Sequence, residues 1–150
     1  MQEILKVNIK KANLVGFDLN DANFKRANFI GADLIKANLK EAYFEGANLE
    51  GANLRETNLK WSNLRGANLE EADLREANLK ETNLERADLI RAKLDGANLE
   101  GAKFREAHYL TFDQLSKVKT LHDAKLNAEL LNSLRKEHAR LFKSKDSRTL

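Results

Sequence analysis

Residues 47–76 read ANLEG ANLRE TNLKW SNLRG ANLEE ADLRE, six consecutive five-residue units with nothing left over. The same phase runs from Ala12 to Leu110 as twenty units, and Ile4 and Ile9 carry it upstream with Val7. The large apolar residue, position i, is Leu in fifteen units, Phe in four (Phe24, Phe29, Phe44, Phe104) and Tyr once, at Tyr109. Position i−2 is Ala in sixteen units, the exceptions being Phe17, Thr57, Ser62 and Thr82. Position i−1 is Asn twelve times and Asp four times, interrupted by Tyr43, Lys93, Lys103 and His108.

Ala, Leu, Glu, Lys and Arg all favour helix, but the period excludes one. At about 100° per residue, positions five apart would distribute Leu and Phe around the whole cylinder and leave no amphipathic face. In an extended segment, i and i−2 share one side while i−1 and i+1 take the other. That places Leu and Ala inside and Asn with a charge outside. Because five is odd, the chain must turn once per unit or the sides would exchange. All seven glycines (Gly16, Gly31, Gly46, Gly51, Gly66, Gly96, Gly101) occupy i+2, as expected of a corner that needs positive φ. Corners with Glu, Lys or Arg at i+2 are expected to use a different turn.

The A(D/N)LXX units resemble those of pentapeptide-repeat proteins, over about two-thirds of the chain. The resemblance implies an all-β solenoid: a right-handed quadrilateral β-helix of about five coils, roughly 24 Å long at the usual strand spacing, closed by a short α-helical C-terminal cap. Four units per coil make residues twenty apart neighbours. The column Lys25, Glu45, Arg65, Glu85, Arg105 then alternates in sign at every step, whereas a fifteen-residue register gives a poorer ladder. Phe24 and Phe44 should stack on one wall, and the outward Asn and Asp side chains can hydrogen-bond backbone at the corners.

An open coil end exposes unpaired backbone and invites association. Phe17, at an otherwise small position, reads as an N-terminal structural plug. Past the repeats, Thr111 and Gln114 have capping-box spacing and predict a short helix over 112–118. Ala124–Lys125–Leu126 resembles one more unit out of phase. Asn127 can cap a helix from Ala128 to about Phe142, with Leu130, Leu131, Leu134, Leu141 and Phe142 near one stripe. The division is 1–110 repeat solenoid, 111–126 short helix and irregular capping segment, and 127–150 amphipathic helix and basic tail. The string LTFDQLSKVKTLHDAKLNAEL (110–130) resembles the tail of cyanobacterial and plastid members.

The 150 residues carry no Cys and no Pro, which excludes disulfides, thiolate metal sites and a Cys nucleophile. No run approaches the length of a membrane span, and the start lacks a signal-peptide layout, so a soluble, cytoplasmic protein is expected. Residues 1–110 hold 17 basic and 18 acidic side chains, a net −1, and residues 111–150 hold 9 and 5, a net +4. Nucleic acid is therefore a poor partner for the rod.

No GxSxG, phosphate-binding glycine loop or paired metal-ligand spacing is present. His108, His122 and His138 are scattered, and the stacked Glu50, Glu70 and neighbouring Glu71 read as a solvated acidic face. No enzyme, catalytic residue, metal or cofactor is expected. The informative residues are outward and apolar. Trp61 lies at a corner, and Tyr43 one coil below and two residues further round, bordered by Lys40, Lys60 and Lys80. These five form a candidate protein contact. Val15, Ile30 and Ile35 form a candidate N-terminal apolar contact, open to a second copy of the chain; Ile90 and Leu110 should lie under the tail.

The leading functional expectation is a non-catalytic interaction or scaffold module binding an unknown protein through rigid faces. One alternative follows from the resemblance, some of whose members resemble duplex DNA and bind DNA gyrase; the near-neutral rod departs from the strongly negative surface this requires. Another assigns nucleic-acid or anionic-membrane contact to Arg135, Lys136, Arg140, Lys143, Lys145 and Arg148 of the tail.

Overall fold

The backbone hydrogen bonds of one unit explain the repeat. In Ala27–Gly31, Ala27 N–H donates to the Phe24 carbonyl (3.0 Å) and closes the preceding turn. Asn28 donates one coil back to Val7 (2.8 Å), Phe29 one coil on to Asn48 (2.7 Å), and Gly31 to Glu50 (2.9 Å). The remaining N–H, on Ile30, donates to the side-chain Oδ1 of Asn28 (3.1 Å). All five donors are satisfied, as buried or crowded backbone requires. Asn or Asp at i−1 serves the one N–H that neither the turn nor a neighbouring coil reaches. Proline would delete a donor at any of the five phases, which accounts for its absence.

The computed structural model describes residues 7–145; Ile4 of the upstream phase, and Asp146 and Arg148 of the tail, lie outside them. Parallel bridges join residues twenty apart, from Asn8 with Asn28 to Asp88 with His108. One circuit therefore contains four turns. Among the described residues each bridge is a single residue rather than part of a longer strand, because two of every five residues are consumed by the corner. The charges keep the same register: Lys25–Glu45 (2.9 Å), Lys36–Glu56 (3.6 Å), Lys80–Glu100 (2.9 Å) and Arg86–Glu106 (2.7 Å) all span one circuit. Of the alternating column, only the Lys25–Glu45 step closes as an ion pair among the described residues.

The corners differ from expectation. Every i+2 residue from Lys11 to Glu106 has positive φ, the non-glycine ones included, at 54–62°. Glu, Lys, Arg and even Trp61 thus adopt the glycine conformation rather than a second turn type. Each costs on the order of 1 kcal/mol, and the conformation persists because the i+2 N–H and the turn bond are both fixed by neighbours.

Inside, Leu and Ala fill the coil from Phe24 to Phe104. Phe24, Phe29 and Phe44 pack together with ring centres 4.9–5.4 Å apart. The buried hydroxyls are satisfied: Thr57 and Ser62 donate to Leu54 and Leu59 carbonyls (both 2.7 Å), and Thr82 to Leu59 (2.8 Å).

At the C-terminal end the chain leaves its track. Tyr109, although at position i, points outward and is 64% exposed, with φ 59°, because the backbone must turn out of the coil to start helix α1 (Phe112–Ser116). The capping box is present: Gln114 N–H donates to Thr111 Oγ1 (3.2 Å), and Thr111 N–H to Gln114 Oε1 (2.8 Å). Helix α1 ends earlier than its sequence pattern suggests. The segment after it returns to the coil two residues out of register, pairing Asn98 with Thr120 and Lys103 with Lys125. Helix α2 (Ala128–Glu137), capped by Asn127, does not run on to Phe142. It breaks at His138 (φ −130°, ψ 46°) and gives way to a 3₁₀ turn over Ala139–Phe142, which lets the Leu141 carbonyl accept from Leu121 N–H (2.7 Å). Leu115, Val118, Leu121, Leu134 and Leu141 are buried over the last coil.

Candidate functional site

One side of the coil is bridged at Asn23, Tyr43, Asn63, Asn83 and Lys103. Tyr43 holds a place where Asn would serve the following turn, and it has no side-chain oxygen positioned to do so. Trp61 holds a corner at φ 62°, where glycine would be unstrained. Tyr43 therefore departs from the pattern of its position, while Trp61 shares its backbone strain with twelve other non-glycine corners and differs from them in being aromatic. They are 45% and 43% exposed, respectively. With Glu41 and Asn63 they border an open depression of about 450 Å³.

The lysines around them do not all behave alike. Lys60 Nζ lies 3.7 Å from the Trp61 ring centre and Lys40 Nζ 5.1 Å, so two cations lie against the indole. Lys80 turns away to Glu100 (2.9 Å); this pairing lowers the Glu100 pKa and raises that of Lys80. Lys25, which the sequence did not place at this site, lies 5.6 Å from the Tyr43 ring centre.

Beyond Tyr43, the far corner of the same side holds a groove of about 560 Å³. Gly46 and Gly66 stand one above the other there, with Arg26 and Arg86 at the corners before and after them, and Lys25, Glu45 and Arg65 alongside. Glu45 accepts from Lys25 and from Asn63 Nδ2 (2.7 Å), and its pKa is lowered chiefly by the Lys25 hydrogen bond. Both glycines fit the corner rule, so sequence reading assigned them to turns and missed the gap they leave. Reading down the column twenty residues at a time would have found it.

The other candidate residues lie away from this side. Val15 and Ile35 share one corner column, tied by Gly16 N–H to the Ile35 carbonyl (2.9 Å). Ile30 sits on the next corner, across the side bridged by Asp33. Phe17 is 53% exposed, leaving about half its surface in water. Ile90 and Leu110 are half-buried, and Gln114 Nε2 from the cap holds the Leu89 and Ala92 carbonyls on either side of Ile90 (2.8 and 2.9 Å). Glu70 and Glu71 are both taken up by Arg91 (2.7 and 2.8 Å). His138 lies against Phe112, ring centres 5.5 Å apart. Among the described residues no group of His, Asp and Glu is arranged to hold a metal, and no helix is long and apolar enough to cross a membrane.

The family profile described as Pentapeptide repeats (8 copies) matches residues 6–40, 32–70 and 67–106. Among solved structures, this chain is similar to the pentapeptide repeat protein Rfr23 from the cyanobacterium Cyanothece 51142, with 33% identity and a TM-score of 0.56; 70% of this chain and 64% of Rfr23 are covered. HetL, a pentapeptide repeat protein involved in heterocyst differentiation regulation from Nostoc sp. strain PCC 7120, is 26% identical over 79% of this chain and 70% of its own, with a TM-score of 0.43. A pentapeptide repeat protein from the Arabidopsis thaliana thylakoid lumen is 28% identical over 82% and 77%, with a TM-score of 0.34. No curated protein matches. The family match and the likeness to Rfr23 imply a right-handed β-helix solenoid.

Proposed function

The chain belongs to the pentapeptide-repeat family, a family of structural and interaction modules, and from that premise we propose that it is a non-catalytic interaction protein whose Tyr43–Trp61 side docks a protein partner. We read the rod on which this rests as a quadrilateral coil of about five turns that ends near residue 110, followed by the capping segment 111–126, helix α2 and the basic tail. One observation carries the reading. Tyr43 forgoes the turn-supporting oxygen of Asn, Trp61 is the one aromatic among the corners from Lys11 to Glu106, and both are presented to solvent. A preformed coil loses little ordering entropy on binding, and exposed aromatics with cations around them are the side chains that dominate protein contacts.

The experiment is quantitative capture of partners from a lysate by the wild-type chain and by the Tyr43→Ala/Trp61→Ala variant. Loss of specific partners from the variant, with its thermal unfolding unchanged, is the expected result. Equal recovery of every partner overturns the reading.

Charge argues against a duplex-mimicking role, since residues 1–110 sum to −1; the protein is expected to leave gyrase supercoiling unchanged. The tail reading has little to support it, because Leu134 and Leu141 are used in the cap and Arg135 stacks 5.4 Å from the Phe142 ring centre. We read the protein as cytoplasmic, and Val15, Ile30 and Ile35 as the contact through which a second copy would associate. Fractionation and concentration-dependent sedimentation test these two points.

A further inference from the structure

We propose that the groove at Gly46 and Gly66 is an anion site that receives the carboxylates of an extended acidic segment of a partner protein. This deepens, and rests on, the reading of the Tyr43–Trp61 side as a docking surface. Two stacked glycines delete the side chains that project from neighbouring corners, so the groove is built into the column rather than opened by a loop. Four cations and one carboxylate line it. Lys25 is engaged by Glu45, and Arg86 by Glu106. Among the described residues neither Arg26 nor Arg65 closes an ion pair, and Arg65 is shared at longer range by Glu45 and Glu106, whose pKa values it helps to lower, so both guanidiniums keep hydrogen-bonding capacity toward the groove. The stem of Arg26 lies over Gly46, where an added Cβ would stand 3.6 Å from its Cγ.

Guanidinium is planar, weakly hydrated and suited to bidentate carboxylate binding. Arg26 and Arg86, the second of which a ligand carboxylate would share with Glu106, are three coils apart, roughly 14 Å at the usual strand spacing, which matches two carboxylates four residues apart on an extended peptide at about 3.3 Å per residue. Arg65 lies between them. Tyr43 connects the groove to the depression beside Trp61, where an apolar side chain of the same segment would seat. A nucleic acid strand fits less well. Glu41, Glu45 and Glu106 stand along the same side, and they repel a continuous run of phosphates but leave room for spaced carboxylates.

The probe is a fluorescein-labelled nonapeptide with glutamate at every fourth position and leucine and serine between, followed by anisotropy at low and high salt. Trp61, the one tryptophan in the chain, reports occupancy independently by its emission. The controls are the glutamine counterpart of the peptide and an oligothymidylate of similar length. Binding of the acidic peptide is expected to weaken roughly tenfold in Arg26→Glu/Arg65→Glu and with the glutamine peptide, and to weaken with salt. The variant should fold, because Glu already occupies the Arg26-type corner at Glu56, Glu71 and Glu76.

No binding of the acidic peptide to the wild type, equal binding of the glutamine peptide, an indifferent Arg variant, or tighter binding of the oligothymidylate each overturns the proposal. The two readings fail separately. Partner capture that depends on Tyr43 and Trp61 but not on Arg26 and Arg65 sinks the anion site and keeps the docking side. Peptide binding that persists in the Tyr43→Ala/Trp61→Ala variant, with capture unaffected, does the reverse.

Discussion

The two ends of the coil carry the same sequence pattern and differ in burial. Leu94, Leu99 and Phe104 are sealed, whereas Ile9, Leu14 and Leu19 are only partly buried. The units are alike; their neighbours are not. The late residues lie under Leu115, Val118, Leu121, Leu134 and Leu141. Burial in a solenoid is conferred by the adjacent coil rather than by the unit's own residues, as nearest-neighbour energetics require.

The largest expected effect contrasts the middle with the partly buried early units. Leu74→Ala should destabilise by roughly 3 kcal/mol through the cavity it leaves, while Leu14→Ala should cost about 1 kcal/mol or less, since water can fill its place. Urea unfolding of both variants measures the difference, and equal losses would break the comparison. Next is the seal itself. Gln114→Ala removes the donor to the Leu89 and Ala92 carbonyls and half of the capping box, for roughly 1–2 kcal/mol. Faster amide exchange should follow around residues 89–92 and not around residues 9–22.

Backbone strain should ignore position along the rod. Lys11→Gly in the early units and Glu56→Gly in the middle each relieve a positive φ, 55° and 56°, and each should stabilise by up to about 1 kcal/mol after the entropic cost of glycine. A gain at only one of the two would show that the corners are held differently. The smallest effect is acid sensitivity. The Arg75 hydrogen bonds lower the Asp73 pKa, and the Lys80 bond lowers that of Glu100. A depressed folded pKa gives stability that is present above the unfolded value and lost as pH falls through the folded one. Stability should therefore drop by roughly a few tenths of a kcal/mol below about pH 4, and Asp73→Asn should shrink that drop in pH-dependent unfolding.

The interior was legible because it obeys one rule at every coil: Leu at i and Ala at i−2 left no other side for the core, and the Lys25–Glu45 pair confirms the circuit length. The corners were only half legible. Glycine announced positive φ, but Glu56 and Trp61 adopt it because hydrogen bonds on both sides dictate it, which overrides propensity. Tyr109 kept the phase of the repeat and still turned out, since the exit of the chain is decided by where α1 begins. The break of α2 at His138 is set by a tertiary bond from Leu121 to Leu141 and has no local sequence signal. At the candidate site, Tyr43 and Trp61 could be read as departures from the repeat. The groove could not, because Gly46 and Gly66 obey the repeat and act through what they lack.

All of this depends on the twenty-residue circuit that brings Tyr43, Trp61 and the arginine groove to one side. The chain has no cysteine, so paired cysteines test that circuit without background. Asn58→Cys with Asn78→Cys, which bridge one another, should oxidise readily to a disulfide at the close Cα separation such a bond needs, whereas Asn63→Cys with Asn78→Cys, fifteen residues apart, should stay reduced. Disulfide formation in the second pair and not in the first would contradict the circuit and the face built on it.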